Sequence, residues 1–254
     1  MNKNNRIKTI KLRKNTINMT TEKIEEESNG EPREVIVPGE TIVSGEDYLP
    51  GEGAKREGKD IVALRYGLVE ISGKLVKVIP LSGVFIPRRG NVIIGQVTDI
   101  SFNGWMTDIN APYSSFLPVA EVPMYLDKNC LAEFLDIGEF FSAKISSVKQ
   151  KGIDLTLDAR GLGRLEDGMI IFINPNKVPR VIGKEGSMIK LIKDETNCKV
   201  TIGQNGLVWI KGDNVDAELF AKKAINFVTE KSFIHGLTDK VKEFLDKEKK
   251  EMTK

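Results

Sequence analysis

Between Glu34 and Pro87 short apolar runs alternate with turn residues. Val35-Ile36-Val37 stops at Pro38-Gly39, and Tyr48-Leu49-Pro50-Gly51-Glu52-Gly53 leads into Ile61-Val62-Ala63-Leu64. Gly67–Ser72 and Leu75–Pro80 follow on either side of Gly73. Runs of this length and spacing predict strands of a small β-sandwich or barrel-like unit over residues 34–88. So few residues bury little apolar surface alone, and the unit is expected to lean on a neighbour or partner.

Residues 89–160 repeat the β pattern with longer strands. Gly90–Ile100 reads as one strand, and Asn103-Gly104 predicts a hairpin into Trp105–Ile109, because both turn residues tolerate positive φ. A loop and short helix precede Gly138–Val148, and Gly152–Leu157 closes the segment. Five strands in this length suit a closed or partly open OB-type barrel. From residue 165 to 232 the pattern changes to strand-helix-helix-strand-strand-helix. Met169–Ile173 is a buried strand stopped by Asn174-Pro175, and helical spacing over 178–196 breaks at Gly183–Gly186. Cys198–Ile202 and Leu207–Ile210 flank a Gly203-Gln204-Asn205-Gly206 turn. Asp213 or Asn214 can cap a helix to about Lys231 with Ala217, Phe220, Ala221, Ala224, Ile225 and Val228 as its stripe. Residues 236–254 predict a charged helix with Leu237, Val241, Phe244 and Leu245 on its apolar face and a solvated Lys/Glu face. The fold class is therefore mixed β and α+β, in several domains.

Charge changes this picture at the N-terminus. Net charge is only +2, yet Lys3, Arg6, Lys8, Lys11, Arg13 and Lys14 precede Glu22, Glu25, Glu26, Glu27 and Glu31. Residues 1–33 read as a flexible tail, either a solvated extension or a basic arm for nucleic acid or a partner. No apolar run is long enough to span a bilayer. Cys130, Cys198 and the lone His235 lack the spacing of a zinc site or disulfide framework, which suits a reducing cytoplasm. Motifs for a phosphate-binding loop, HExxH or GxSxG are missing, and Asp154 and Asp158 read as a strand end rather than a metal pair. No catalytic residue, metal or cofactor is expected.

The stretch Val178-Pro179-Arg180-Val181-Ile182-Gly183-Lys184-Glu185-Gly186-Ser187-Met188-Ile189-Lys190 carries the most chemistry. Two glycines bracket a turn between helices, where bare backbone can approach a phosphate and free helix amides favour its charge. Val181, Ile182, Ile189 and Ile192 are expected to form an apolar platform. Within the variable pair, Lys184 attracts phosphate and Glu185 repels it, while Arg180 and Lys190 favour binding. This pattern resembles a KH domain, whose GxxG loop clamps a single-stranded backbone; the alternative is a KH fold kept for packing. Lys184→Glu or Gly183→Asp is then expected to weaken RNA capture without unfolding the chain.

Residues 89–160 resemble an S1-type barrel through Gly95–Ile100, the Asn103-Gly104 turn, Phe116–Glu121 and Ile153–Arg160. Such barrels stack bases on aromatics and neutralise phosphates. The exposed aromatic pair of that family is not preserved here. Trp105, Tyr113 and Phe116 are candidates for stacking or for the core, with Lys149, Lys151, Arg160 and Arg164 as charge. Arg88 and Arg89, between the first two units, line an RNA path or a solvated turn.

The order β-unit, S1-type barrel, KH resembles the RNA-binding cap subunit of the archaeal exosome, the ribosomal-RNA-processing protein 4 family. Val37-Pro38-Gly39-Glu40, Tyr48–Gly53, Val78–Gly83 with Ile86-Pro87, and Gly161-Leu162-Gly163-Arg164 support it. The resemblance implies a non-catalytic cytoplasmic protein, three copies capping a hexameric phosphorolytic ring, alone or mixed with another cap subunit. The N-terminal unit would dock on the ring, and the other domains would feed single-stranded RNA 3′ ends inward. A mainly structural assembly subunit and a free-standing S1/KH factor are the competing readings.

Overall fold

A computed structural model describes residues 34–124, 126, 130–150, 152–232 and 236–252. The tail of residues 1–33, Lys151 and His235 lie outside the described residues. One compact unit runs to Ile79, and a second comprises Pro80–Ser232 and Thr238 onward.

In the first unit, burial alternates along the chain as a pleated strand requires. Val76 and Val78 point inward, and Lys77 and Ile79 do not. The seven strands are β1 (Val35–Ile36), β2 (Thr41–Ser44), β3 (Leu49–Pro50), β4 (Ala54–Glu57), β5 (Asp60–Ala63), β6 (Gly67–Ser72) and β7 (Leu75–Pro80). They form two sheets, ordered β1-β6-β7-β3 and β2-β5-β4. Ile36, Ala54, Ile61, Ala63, Val76 and Val78 fill the space between them. The two sequence motifs of this unit are joinery. Gly51 N donates to Val76 O at 2.7 Å and Val78 N to Glu52 O at 2.9 Å, laying the Pro50–Gly53 stretch along β7. Gly39 N likewise donates to Ala63 O at 2.8 Å, tying the Pro38-Gly39 turn to β5.

The second unit opens with the barrel: β8 (Val92–Ser101), β9 (Gly104–Asp108), β10 (Ser115–Pro118), β11 (Phe140–Lys149), β12 (Gly152–Thr156) and β13 (Gly163–Leu165). The sheet order is β12-β10-β9-β8-β11-β13, and an additional β12–β11 pairing closes it. Register shifts at Val97/Asp99 and Ile145/Ser147 supply the bends that closure needs. The hairpin forms one residue away from its expected place. Ser101 pairs with Gly104, so the two loop residues are Phe102 and Asn103, and neither has positive φ. Gly104 begins the returning strand instead. Its φ is 151°, and a Cβ there would lie 2.1 Å from Leu117 O.

Sheet order β14-β16-β15 follows, from β14 (Met169–Phe172), β15 (Lys199–Ile202) and β16 (Leu207–Lys211). After α1 (Leu131–Phe134) of the barrel, the helices are α2 (Val178–Ile182), α3 (Ser187–Thr196), α4 (Val215–Glu230) and α5 (Leu237–Met252). Asn214 caps α4, its side chain accepting from Ala217 N at 2.8 Å. Phe220, Ala221, Ala224, Ile225 and Val228 are buried along that helix. Val241 and Leu245 of α5 are also fully buried, and Phe244 stacks on Phe227 with centroids 4.4 Å apart. Part of the charged face of α5 is bonded to its neighbours: Glu248 meets Lys223 at 2.7 Å and Lys249 meets Glu195 at 2.5 Å.

The turn between β15 and β16 locks this domain to the barrel. Asn205 is fully buried. Its Oδ1 accepts from Ile94 N at 3.2 Å, and its Nδ2 donates to Ile94 O at 2.7 Å and Ile109 O at 2.8 Å. Gly203 is required by this approach, and Gly206 by packing inside its own domain. A Cβ on Gly203 would stand 2.7 Å from Ile94 N, and one on Gly206 would stand 2.3 Å from Ile173 O.

Candidate nucleic-acid interface

Asn174 accepts from Asn176 N at 3.0 Å and starts the turn that leads into α2. Val178 and Val181 anchor α2 in the core, and Gly183 ends it at φ 75°, ψ 174°. That backbone region is essentially glycine-only. A Cβ on Gly183 would fall 2.7 Å from Met188 N, and Met188 is buried. Gly183→Asp would therefore distort the loop, contrary to the expectation from sequence. Gly186 has open space, with only Ile189 Cγ2 at 3.9 Å, so a side chain there meets no clash, although its left-handed φ of 78° strains the backbone of any replacement.

Between the glycines Lys184 and Glu185 are exposed, with Glu185 in the left-handed region at φ 54°, ψ 26°. Gly186 N donates to Gly183 O at 3.3 Å, and α3 then starts without a side-chain cap. Ser187 N donates to Lys184 O, and beyond it the positive end of the α3 dipole favours an anion. Arg180 and Lys190 are exposed on the flanking helices. The expected apolar platform is halved. Ile182 and Ile189 are partly exposed beside the loop, whereas Val181 and Ile192 are fully buried in the core.

On the barrel, Trp105 is fully buried and cannot stack a base. Its Nε1 donates to Leu135 O at 2.9 Å, and its ring lies 5.6 Å from that of Phe134. Tyr113 is exposed, and Phe116 is half-buried between Met106 and Asp154 across the sheet. The aromatic that sequence reasoning missed is Phe102, 78% exposed at the β8–β9 hairpin tip. A large apolar residue in a two-residue hairpin loop was the available signal, hidden by placing the turn one residue late.

Ion pairing sorts the candidate cations. Lys149 pairs with Asp154, which also accepts from Ser147 Oγ at 2.7 Å. The bond from Lys149, helped by that from Ser147, holds the Asp154 carboxyl below its usual range despite partial burial. Arg164 pairs with Glu139 and approaches Glu166 at 3.9 Å. Arg180, Lys184, Lys190, Arg160 and Arg89 are exposed and make no ion pair among the described residues. Arg88 is exposed, its backbone N donating to Asn91 Oδ1 at 2.8 Å. Lys144, absent from the sequence expectations, is likewise exposed and unpaired among the described residues. It stands outward between inward Ala143 and Ile145 on β11, the alternation that could have revealed it. Lys149→Ala is expected to change RNA affinity by no more than about fivefold, because the lysine is already engaged by Asp154. The Asp154 pKa should rise toward its ordinary value in an NMR titration.

A family model described as KH domain matches residues 168–227, the stretch holding this loop. Exosome complex component Rrp4 of Methanothermus fervidus is 44% identical over 214 residues, covering 84% of this chain and 95% of the relative. Exosome complex component Rrp4 of Methanothermobacter thermautotrophicus is 42% identical over 216 residues, covering 85% and 68%. The chain belongs to the Rrp4 family of exosome components. A crystal structure of a proposed exosome complex RNA-binding protein superposes with TM-score 0.59 and 32% identity, covering 66% of this chain and 98% of that one. The Rrp4-family chain described here thus pairs a closed OB-like barrel with a KH domain and a docked C-terminal helix. No described helix is long and apolar enough to cross a membrane.

Proposed function

We propose that this chain is a non-catalytic RNA-binding cap subunit of an exosome, which grips single-stranded RNA and passes 3′ ends to a phosphorolytic hexameric ring in the cytoplasm. The carrying observation is the GxxG loop. Its exposed Lys184, unpaired among the described residues, lies between exposed Arg180 and Lys190 before a helix without a side-chain cap, within a KH domain of an Rrp4-family chain. Phosphate oxygens would bind these cations at the positive end of the α3 dipole, and the half-buried Ile182 and Ile189 would support the bases. Arg160, Arg89 and Arg88 extend the positive surface, and Lys149 and Arg164 contribute less because carboxylates already hold them. Val37, Leu49, Leu64, Tyr66 and Ile71 are exposed on the N-terminal unit, supporting its role as the ring-docking element, with three copies per ring.

Co-purification with the ring subunits, followed by filter binding of single-stranded RNA, tests the proposal. The chain is expected to join the ring and raise its RNA affinity. Lys184→Glu should lower that gain about tenfold at low salt, close to 1.4 kcal/mol, and Gly186→Asp should act in the same direction. A ring that captures RNA equally well with and without the chain would leave only the assembly role.

A further inference from the structure

A second group of exposed cations lies where the barrel meets the KH domain, on a turn held by the barrel's own strand pairing and touched by the KH turn. Gly90 N donates to Ile145 O and Ile145 N to Asn91 O, both at 2.8 Å, so the Arg88–Asn91 turn lies against β11 beside Lys144. Lys144 pairs across the sheet with Val92 and points outward. On the other side, Gln204 N donates to Val92 O at 2.8 Å, and Asn91 Nδ2 donates to Gln204 Oε1. Gln204 is exposed, so its amide group also borders solvent at this seam. The preceding segment passes the KH helices as well: a Cβ on Gly83 would be 3.2 Å from Asn176 Nδ2, in the turn that begins the path to Arg180 and Lys184.

Arg89 and Lys144 have no carboxylate partner among the described residues. Their charges come from segments far apart in sequence, set side by side by the backbone bonds of Gly90 and Asn91 to Ile145 within the barrel. Lys149 and Arg164, elsewhere on the barrel, are by contrast matched with acids. Unmatched cations fixed on a rigid seam are preorganised to replace the counterions of a polyanion.

We propose that this seam is a second phosphate-binding subsite for the RNA strand, with Arg89 and Lys144 neutralising its backbone while the KH loop holds another stretch. The inference rests on the RNA-binding reading above and adds a site to it. One strand would engage both places at a spacing fixed by the Asn205 lock. A KH groove alone clamps about four nucleotides, so the seam would be felt only by longer RNA.

The test compares the full chain with Arg89→Ala/Lys144→Ala and, separately, with Lys184→Glu. Filter binding uses unstructured RNAs of about four and about eight nucleotides, the shorter matching one KH groove, across a salt series. Because both seam residues are exposed, the double variant should melt like the parent. Its salt slope for the longer RNA should be shallower by about 1.4, which is two single-strand phosphate contacts. The affinity gained on lengthening should largely vanish, and Lys144→Arg should retain it. An unchanged slope and an intact length gain, with Lys184→Glu still damaging capture, would remove the seam subsite and leave the KH reading standing. A parent chain that holds neither RNA at low salt would overturn both.

Discussion

Asn205→Ala should lower the unfolding free energy of the barrel–KH unit by about 3 to 5 kcal/mol. The amide satisfies Ile94 N, Ile94 O and Ile109 O at a site without solvent exposure. Each orphaned buried group costs about 1–3 kcal/mol. Asn205→Asp should be comparably damaging, because a carboxylate cannot donate to the two carbonyls and would bury a charge without a cation. Urea denaturation reads both values, and proteolysis between the domains should accelerate. A loss below about 0.5 kcal/mol, the range of a neutral surface change, would mean that other contacts hold the domains together.

Trp105→Ala should cost a further large amount, about 3–5 kcal/mol for emptying an aromatic site in a packed core. The ring is fully buried against Phe134, and its N–H bonds Leu135 O. Trp105→Phe retains most of the packing and should fold. RNA affinity of that variant, measured well below its melting temperature, should match the parent. A selective loss of RNA affinity with stability preserved would restore Trp105 as a base-stacking residue.

These two residues also mark the limits of sequence reading. Period-two patterns in Val76–Ile79 and the Phe220–Val228 stripe identified strands and helices because burial there follows local geometry. The GxxG loop was legible for the same reason, since its glycines act within a few residues of chain. Trp105 stayed ambiguous because an outward and an inward aromatic look alike until the strand's register is known, and the register depended on a loop placed one residue late. The role of Asn205 was illegible. A Gly-Gln-Asn-Gly turn reads as a solvated hairpin, and only tertiary contacts with Ile94 on β8 and with Ile109, both about a hundred residues away, give its amide partners. Charge suffered similarly: sequence supplies Lys149 and Arg164 as free cations, and folding delivers carboxylates to both.

The stacking of Phe244 on Phe227, with Val241 and Leu245 buried beneath it, has a consequence for synthesis. While the ribosome is still making residues 237–250, the nascent KH domain presents Phe227 and its neighbours uncovered. A chain cut short just after α4 would therefore emerge with a sticky apolar flank for chaperones or other chains to meet.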